Sequence, residues 1–246
     1  MARIIFLGVG GWISDPSLGH TSILIESSND EVMLLDAGEG VYAMLKRFGY
    51  DVDDIDYVVI THGHGDHILG LPTLVQIRKH YGLEKLCIIT FHENVETIKT
   101  ILKITGYNNA ENFVKILELE PNKELNIGGY KLEVIDAIHT VPAVSVKVNV
   151  EGKCIVYSGD TAYNPKLKDF AKKCNLLIHE ASNYSKDAYK YGHSSYQEAI
   201  KIAAEADVDA LALVHFYQTP KPIELDKISD RPKKIYLPYP GMFLEI

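Results

Sequence analysis

Residues Thr61-His62-Gly63-His64-Gly65-Asp66-His67 crowd three imidazoles and a carboxylate into one short stretch, directly after the apolar run Tyr57-Val58-Val59-Ile60. Imidazole with carboxylate is the donor set that suits zinc and its borderline neighbours. In an extended backbone, side chains two residues apart point the same way. His62 and His64 are therefore expected to converge on one ion while Asp66 and His67 turn toward a second. Gly63 and Gly65 allow the chain to bend there without a Cβ penalty. A fold that ends a buried strand in such a loop must leave room at the strand's end for what the loop binds.

The flanking chain supplies such a scaffold. Arg3 to Leu7 reads as a buried strand running into a glycine-broken loop that carries Trp12 and His20, candidates for a pocket wall. Residues 21–26 and 31–36 read as a hairpin that ends on Asp36, a carboxylate closing an otherwise apolar run. Helical spacing of Val41, Met44, Leu45 and Phe48 predicts a helix stopped by Gly49. Leu71-Pro72 opens another helix, through Tyr81. Residues 86–91 read as a strand and 95–104 as a helix. From 114 to 158 the pattern is mostly strands (114–119, 124–127, 130–138, 144–150 and 153–158), with tight turns at Gly128-Gly129 and Glu151-Gly152. Alternation then resumes with helix 165–173, strand 175–179, helix 195–206 and strand 210–215, before a short pair of strands at 234–237 and 242–245. No repeat or linker interrupts this. The chain is read as one α+β domain, 1–246, with two mixed β-sheets face to face and helices outside (αββα).

Composition sets the outer limits. Hydrophobic content of 46% and charged content of 24% are those of an ordinary globular protein. A net charge of −8 argues against a generally basic nucleic-acid binder. Cys87, Cys154 and Cys174 lie far apart with no CxxC pair, which predicts buried thiols, no disulfide framework and a reducing compartment. The N-terminal apolar run is too short for a secretory signal, and no stretch approaches the length of a membrane span. A cytoplasmic protein is expected.

Three further candidates occur at strand ends: His139 after Leu132 to Ile138, Asp160 after Ile155 to Gly159, and His215 after Leu211 to Val214. Each alone is a weak signal, because a histidine ending a strand is more often a satisfied polar group. Together with His62, His64, Asp66 and His67 they are enough donors for two metals that share one carboxylate. His80 and His92 have no comparable support and are read as structural.

These motifs resemble the metallo-β-lactamase superfamily and, within it, the ribonuclease Z (tRNA 3′-endonuclease) family. The resemblance rests on Leu35 to Gly40, Thr61 to Pro72, His139 with Pro142, Ser158 to Thr161, His179-Glu180-Ala181, Gly192 to Ser195, and His215-Phe216. It implies the metallo-β-lactamase αββα sandwich and a dinuclear zinc hydrolase, with Mn2+ or Fe2+ as other possible occupants. One ion would be held by His62, His64 and His139 and the other by Asp66, His67 and His215, bridged by Asp160 and a hydroxide that attacks a phosphodiester. Asp36 would orient a ligand imidazole. Asp66 would orient or deprotonate the attacking water, and His193, oriented by Glu180, would assist the leaving group. A homodimer is implied by the same resemblance.

The chain departs from that family in two places, one of them Tyr217-Gln218-Thr219-Pro220 after His215, where the family has a polar and basic run, and the other the missing arm. Only 20 residues lie between His139 and Asp160, and they read as a plain hairpin where ribonuclease Z enzymes carry a long basic arm that grips tRNA. The expected substrate is therefore a phosphodiester, RNA or smaller. Alternatives are another ester (thioester, aryl sulfate or lactone) or a role as a metal-binding interaction protein. Lys99, Lys103, Lys221, Lys233 and Lys234 are the cations that could gather to replace the arm.

Overall fold

The computed structural model describes residues 1–13, 15–182, 186–220, 223, 228 and 230–246. Lys221 lies outside the described residues. Strand β1 (Arg3–Gly8) pairs antiparallel with β2 (Ser22–Glu26), and β2 with β3 (Val32–Leu35). From β3 the sheet continues in parallel through β4 (Tyr57–Ile60), β5 (Leu86–Phe91) and β6 (Val114–Leu119). Helices α1 (Val41–Arg47), α3 (Leu71–His80) and α4 (Val95–Ile104) make the crossovers that parallel pairing requires.

The second sheet repeats the plan. Strands β7 (Leu125–Ile127), β8 (Tyr130–Asp136), β9 (Val144–Val150) and β10 (Lys153–Tyr157) are antiparallel. Strands β11 (Leu176–Glu180), β12 (Ala210–Val214) and β13 (Lys234–Tyr236) continue from β10 in parallel. Helix α5 (Lys166–Phe170) crosses from β10 to β11 and α6 (Tyr196–Glu205) from β11 to β12. The short terminal strands do not pair with each other as expected. Strand β13 closes the edge of the second sheet, whereas β14 (Phe243–Glu245) returns to pair with β1 in the first.

Period-two alternation explains why the strands read as continuous apolar runs. Ile4 and Phe6 of β1 face the core between the sheets, while Ile5 and Leu7 face the layer of α1, α3 and α4. Met33 and Leu35 divide from Val32 and Leu34 in the same way. This is the metallo-β-lactamase fold.

One expectation about the cysteines fails. Cys154 and Cys174 are joined by a disulfide, with Cα atoms 4.7 Å apart, and only Cys87 is free. Parallel pairing of β10 with β11 brings the two strand starts together: Asn175 donates its backbone N–H to the Cys154 carbonyl at 2.9 Å and accepts the Cys154 N–H on its side chain at 3.0 Å. No helix among the described residues is long and apolar enough to cross a membrane.

Candidate metal centre

Parallel strands of both sheets point their C-terminal ends at one cleft. Asp36 follows β3, His62 follows β4, Asp160 follows β10, Glu180 ends β11 and His215 follows β12. His62 also makes an isolated antiparallel bridge to Ala143, which ties the end of β4 to the other sheet. Several of these positions have unusual backbones. Asp36 (φ 57) and His215 (φ 62) are in the left-handed region, and Gly159 (φ 56) turns the chain just before Asp160. Non-glycine residues occupy that region rarely, and here the sheet ends hold them there.

The histidine motif is not extended throughout. Gly65–Ile68 forms a helical turn, α2, directly after His64. That turn separates the two halves of the motif: His62 and His64 project to one side, Asp66 and His67 to the other. The donor atoms of His62, His64, His139 and Asp160 all lie within 4.8 Å of one another, and so do those of Asp66, His67, Asp160 and His215. Asp160 is common to both groups. Its Oδ2 is 3.5 Å from His62 Nε2, 3.4 Å from His67 Nε2, 3.9 Å from His139 Nε2 and 3.2 Å from His215 Nε2.

The outward ring nitrogens are already committed. His139 Nδ1 donates to the Gly192 carbonyl at 2.8 Å, and His67 Nδ1 donates to Asp36 Oδ2 at 2.7 Å. With Nδ1 donating, Nε2 of each ring is the nitrogen that faces inward, and it offers a lone pair to an ion once its own proton is lost. His64 Nδ1 lies 3.2 Å from His62 Nε2 and 3.0 Å from His139 Nε2. Nε2 of His67 and Oδ1 of Asp160 are buried with no hydrogen-bond partner. Donors around an ion at bond lengths of ~2.0–2.1 Å sit ~3.3 Å apart, close to the spacing seen here. The residues therefore fit divalent metal in both groups, with zinc the occupant that an imidazole and carboxylate set suits best.

Charges in the site reinforce one another. Burial opposes ionisation of Asp160, but the imidazoles of His215, His67 and His62 hold its carboxyl well below the usual range. Asp66 is likewise held low despite burial, by the imidazoles of His215 and His67 beside it. Burial works against a charged His67, yet Asp160 and Asp36 raise it well above its ordinary value.

His193 stands beside the two groups. Its Nδ1 is 2.9 Å from Glu180 Oε1, 3.2 Å from Ser182 Oγ and 3.9 Å from Asp160 Oδ2. Burial would lower its pKa, but the Glu180 carboxylate outweighs this and lifts it to about 9. Glu180 is wholly buried and fixed by the backbone N–H groups of Thr161 and Ser182 at 3.0 and 3.1 Å. Three partners escaped the sequence reading. Ser182 Oγ is 2.7 Å from His215 Nδ1. Thr61 gives both its N–H and its hydroxyl to Asp36, and the Tyr157 hydroxyl donates to Asp36 Oδ2 at 2.9 Å. Of these, Thr61 opens the histidine motif without a role assigned to it, and Tyr157 shows in the sequence only as a polar group inside an apolar run ahead of Ser158-Gly159-Asp160.

The cleft has a volume of about 770 Å³, and Trp12, His64, Asp66, Asp160, His193 and Tyr217 are among its walls. His20 instead turns its Nδ1 to the Gly11 carbonyl at 2.7 Å and braces the loop that carries Trp12.

Known proteins share both the sequence and the shape. Ribonuclease Z of Picrophilus torridus is 29% identical over 87% of this chain and 85% of its own length. The metallo-β-lactamase fold protein YhfI from Bacillus subtilis superposes with a TM-score of 0.87 at 22% identity, over 99% of this chain and 98% of that one. Human tRNase Z, short form, does so at 0.80 and 21%, over 99% of each. With this fold and a His/Asp metal site, the chain is a metal-dependent hydrolase related to ribonuclease Z. The family profile of the anti-Pycsar protein Apyc1 matches residues 2–231, nearly the whole length, and the chain belongs to that family.

Proposed function

We propose that the protein is a dinuclear metal-dependent phosphodiesterase whose substrate is a small nucleotide phosphodiester, a cyclic nucleotide being the class that suits the cleft and the family best. The observation that carries this is Asp160 Oδ2, set among four imidazole nitrogens at 3.2–3.9 Å where two donor groups meet. His62, His64 and His139 would hold one ion, Asp66, His67 and His215 the other, and Asp160 both. Bound there, two divalent ions polarise a phosphoryl oxygen and activate water.

The remaining steps belong to the chain. Asp66 is kept ionised by its imidazole neighbours, which makes it a weak base and a good orienting acceptor for the attacking water. His193, held by Glu180 and favoured in its charged form, would give a proton to the leaving oxygen. Glu180 fixes the ring through Nδ1, which leaves Nε2 as the donor. Asp36 holds His67 in the tautomer that offers Nε2 inward.

Small substrates are favoured over tRNA by the turn at Glu151-Gly152. Strands β9 and β10 pair in direct register from Lys153↔Val150 to Tyr157↔Val146, so no arm leaves the sheet between His139 and Asp160. The deciding experiment is a turnover panel of 3′,5′-cyclic nucleotides, bis(p-nitrophenyl) phosphate, a 3′-extended tRNA precursor, a thioester, an aryl sulfate and a lactone. Cyclic nucleotide hydrolysis well above the rest is the expected result. Turnover confined to the thioester, sulfate or lactone would overturn the proposal.

A further inference from the structure

Two large aromatic side chains stand exposed at the mouth of the cleft. Trp12 is 62% exposed and Tyr217 47% exposed. Their ring centroids are 5.9 Å apart with planes tilted by 34°. That spacing is within the ~4.5–7 Å of an ordinary aromatic pair, so the rings already touch and what they offer a ligand is their outer faces. Tyr191, also exposed, reaches the same cleft from another segment. None of these rings has a part in the metal centre or in proton transfer.

Their position relative to the metal centre is built in. Gly11 donates its N–H to the Phe216 carbonyl at 2.9 Å, and the Phe216 N–H returns to the Val9 carbonyl at 3.0 Å. A Cβ on Gly11 would come within 2.9 Å of His215 Cε1, so the loop lies flush against that imidazole and only glycine permits it. Trp12 is the next residue after Gly11, and Tyr217 lies two residues beyond His215. Two residues of chain span at most ~7 Å, so the aromatic pair cannot be far from the ions' expected place.

We propose that Trp12 and Tyr217 form a nucleobase subsite of this cleft, a stacking platform that binds the face of the base while the metal centre holds the phosphodiester. This rests on the proposed phosphodiesterase reading and adds to it how a nucleotide is chosen over other phosphodiesters. A chain with net charge −8 has no overall positive field to draw in an anionic nucleotide. Stacking needs none and tolerates every base, because each has a π-face.

Trp12 is the only tryptophan in the chain, which gives a direct readout. The wild-type holoenzyme is mixed in a stopped-flow cell with a 3′,5′-cyclic nucleotide and, separately, with the base-free methyl riboside 3′,5′-cyclic phosphate. Saturable quenching of tryptophan emission before turnover is expected with the nucleotide alone. In steady-state assays the nucleotide should have a KM lower by roughly tenfold or more than the base-free analogue. That advantage should shrink in Trp12→Ala, shrink in Tyr217→Ala and return in Trp12→Phe, with kcat affected far less than KM. No quenching, together with equal KM for the two substrates, overturns the subsite while leaving the phosphodiesterase standing. Equal losses on both substrates in Trp12→Ala and Tyr217→Ala mark a merely structural role and also overturn it. Hydrolysis of neither cyclic phosphate removes the reading on which the subsite rests, and the subsite with it.

Discussion

Oδ2 of Asp36 lies 2.7 Å from Nδ1 of His67, with both side chains wholly excluded from solvent. The same oxygen takes the hydroxyl hydrogens of Tyr157 and Thr61 at 2.9 Å each. Asp36 is thus fixed by three donors and in turn fixes the imidazole. Asp36→Asn keeps the shape and suits the left-handed backbone at this position, but cannot accept in the same way. Metal affinity at the His67 side should fall by about 10- to 100-fold, measured by competition with a chromophoric chelator. Wild-type affinity in this variant would end the assigned role.

Because Asp160 is common to both donor groups, its loss should be felt twice. Metal-saturated wild-type protein should contain about two zinc-like ions per chain by elemental analysis, the filling expected of two sites. The double substitution His62→Ala, His64→Ala should retain about one ion and Asp160→Asn fewer than either expectation for an independent site. A wild-type value near zero, or unchanged metal content after the double substitution, would sink the centre.

His193 separates proton transfer from metal binding. His193→Ala should keep its metals yet lose roughly 10²- to 10⁴-fold in kcat on a substrate with a poor leaving group. The defect should be small for bis(p-nitrophenyl) phosphate, whose leaving group departs without a proton. Glu180→Gln should show the same leaving-group dependence more weakly, since Glu180 acts through the ring it holds. Equal losses on both substrates would point to a structural fault instead.

Most of the donor set could be read from the sequence because its members sit at the ends of apolar runs, and parallel sheets gather such ends into one place. Strand and helix periods marked the alternation well for the same reason: strands buried on both faces leave long apolar runs. The misses have physical causes. The turn at Gly65–Ile68 is too short to show a helical period, so the motif looked extended. Tyr157 and Thr61 act through partners far away in the chain, and Ser182 looked like any loop serine. The pairing of Cys154 with Cys174 and the separation of β13 from β14 are set by sheet order, which local patterns do not carry.

That disulfide can be tested without reference to activity. Denatured but unreduced protein should titrate one thiol, Cys87, and reduced protein three. The bridge closes a loop across a sequence separation of 20 and should contribute about 3 kcal/mol to stability. Cys154→Ala, Cys174→Ala should therefore unfold at lower denaturant concentration, by an amount close to the effect of reductant on the wild type. Three thiols in the unreduced protein would mean that the strand starts meet without a covalent bond.

The last expectation concerns tRNA. Affinity for a folded RNA rests on many Lys and Arg contacts to phosphate, each adding to the salt dependence of binding. Here the β9–β10 turn offers no extension. Lys233 and Lys234 do gather, with Lys153, around one hollow, but that hollow lies at the starts of β10 to β13. The metal centre is at the other ends of those strands, so cations there cannot guide an RNA end into the cleft. Lys99 and Lys103 belong to α4, which covers the outer face of the other sheet. Purified protein should therefore cleave a 3′-extended tRNA precursor weakly and lose that activity steeply between low and near-physiological salt, while cyclic nucleotide hydrolysis changes little. Tight binding and accurate 3′ cleavage at near-physiological salt would show instead that a basic surface is assembled by other means, and would return the chain to the tRNA-processing side of its relatives.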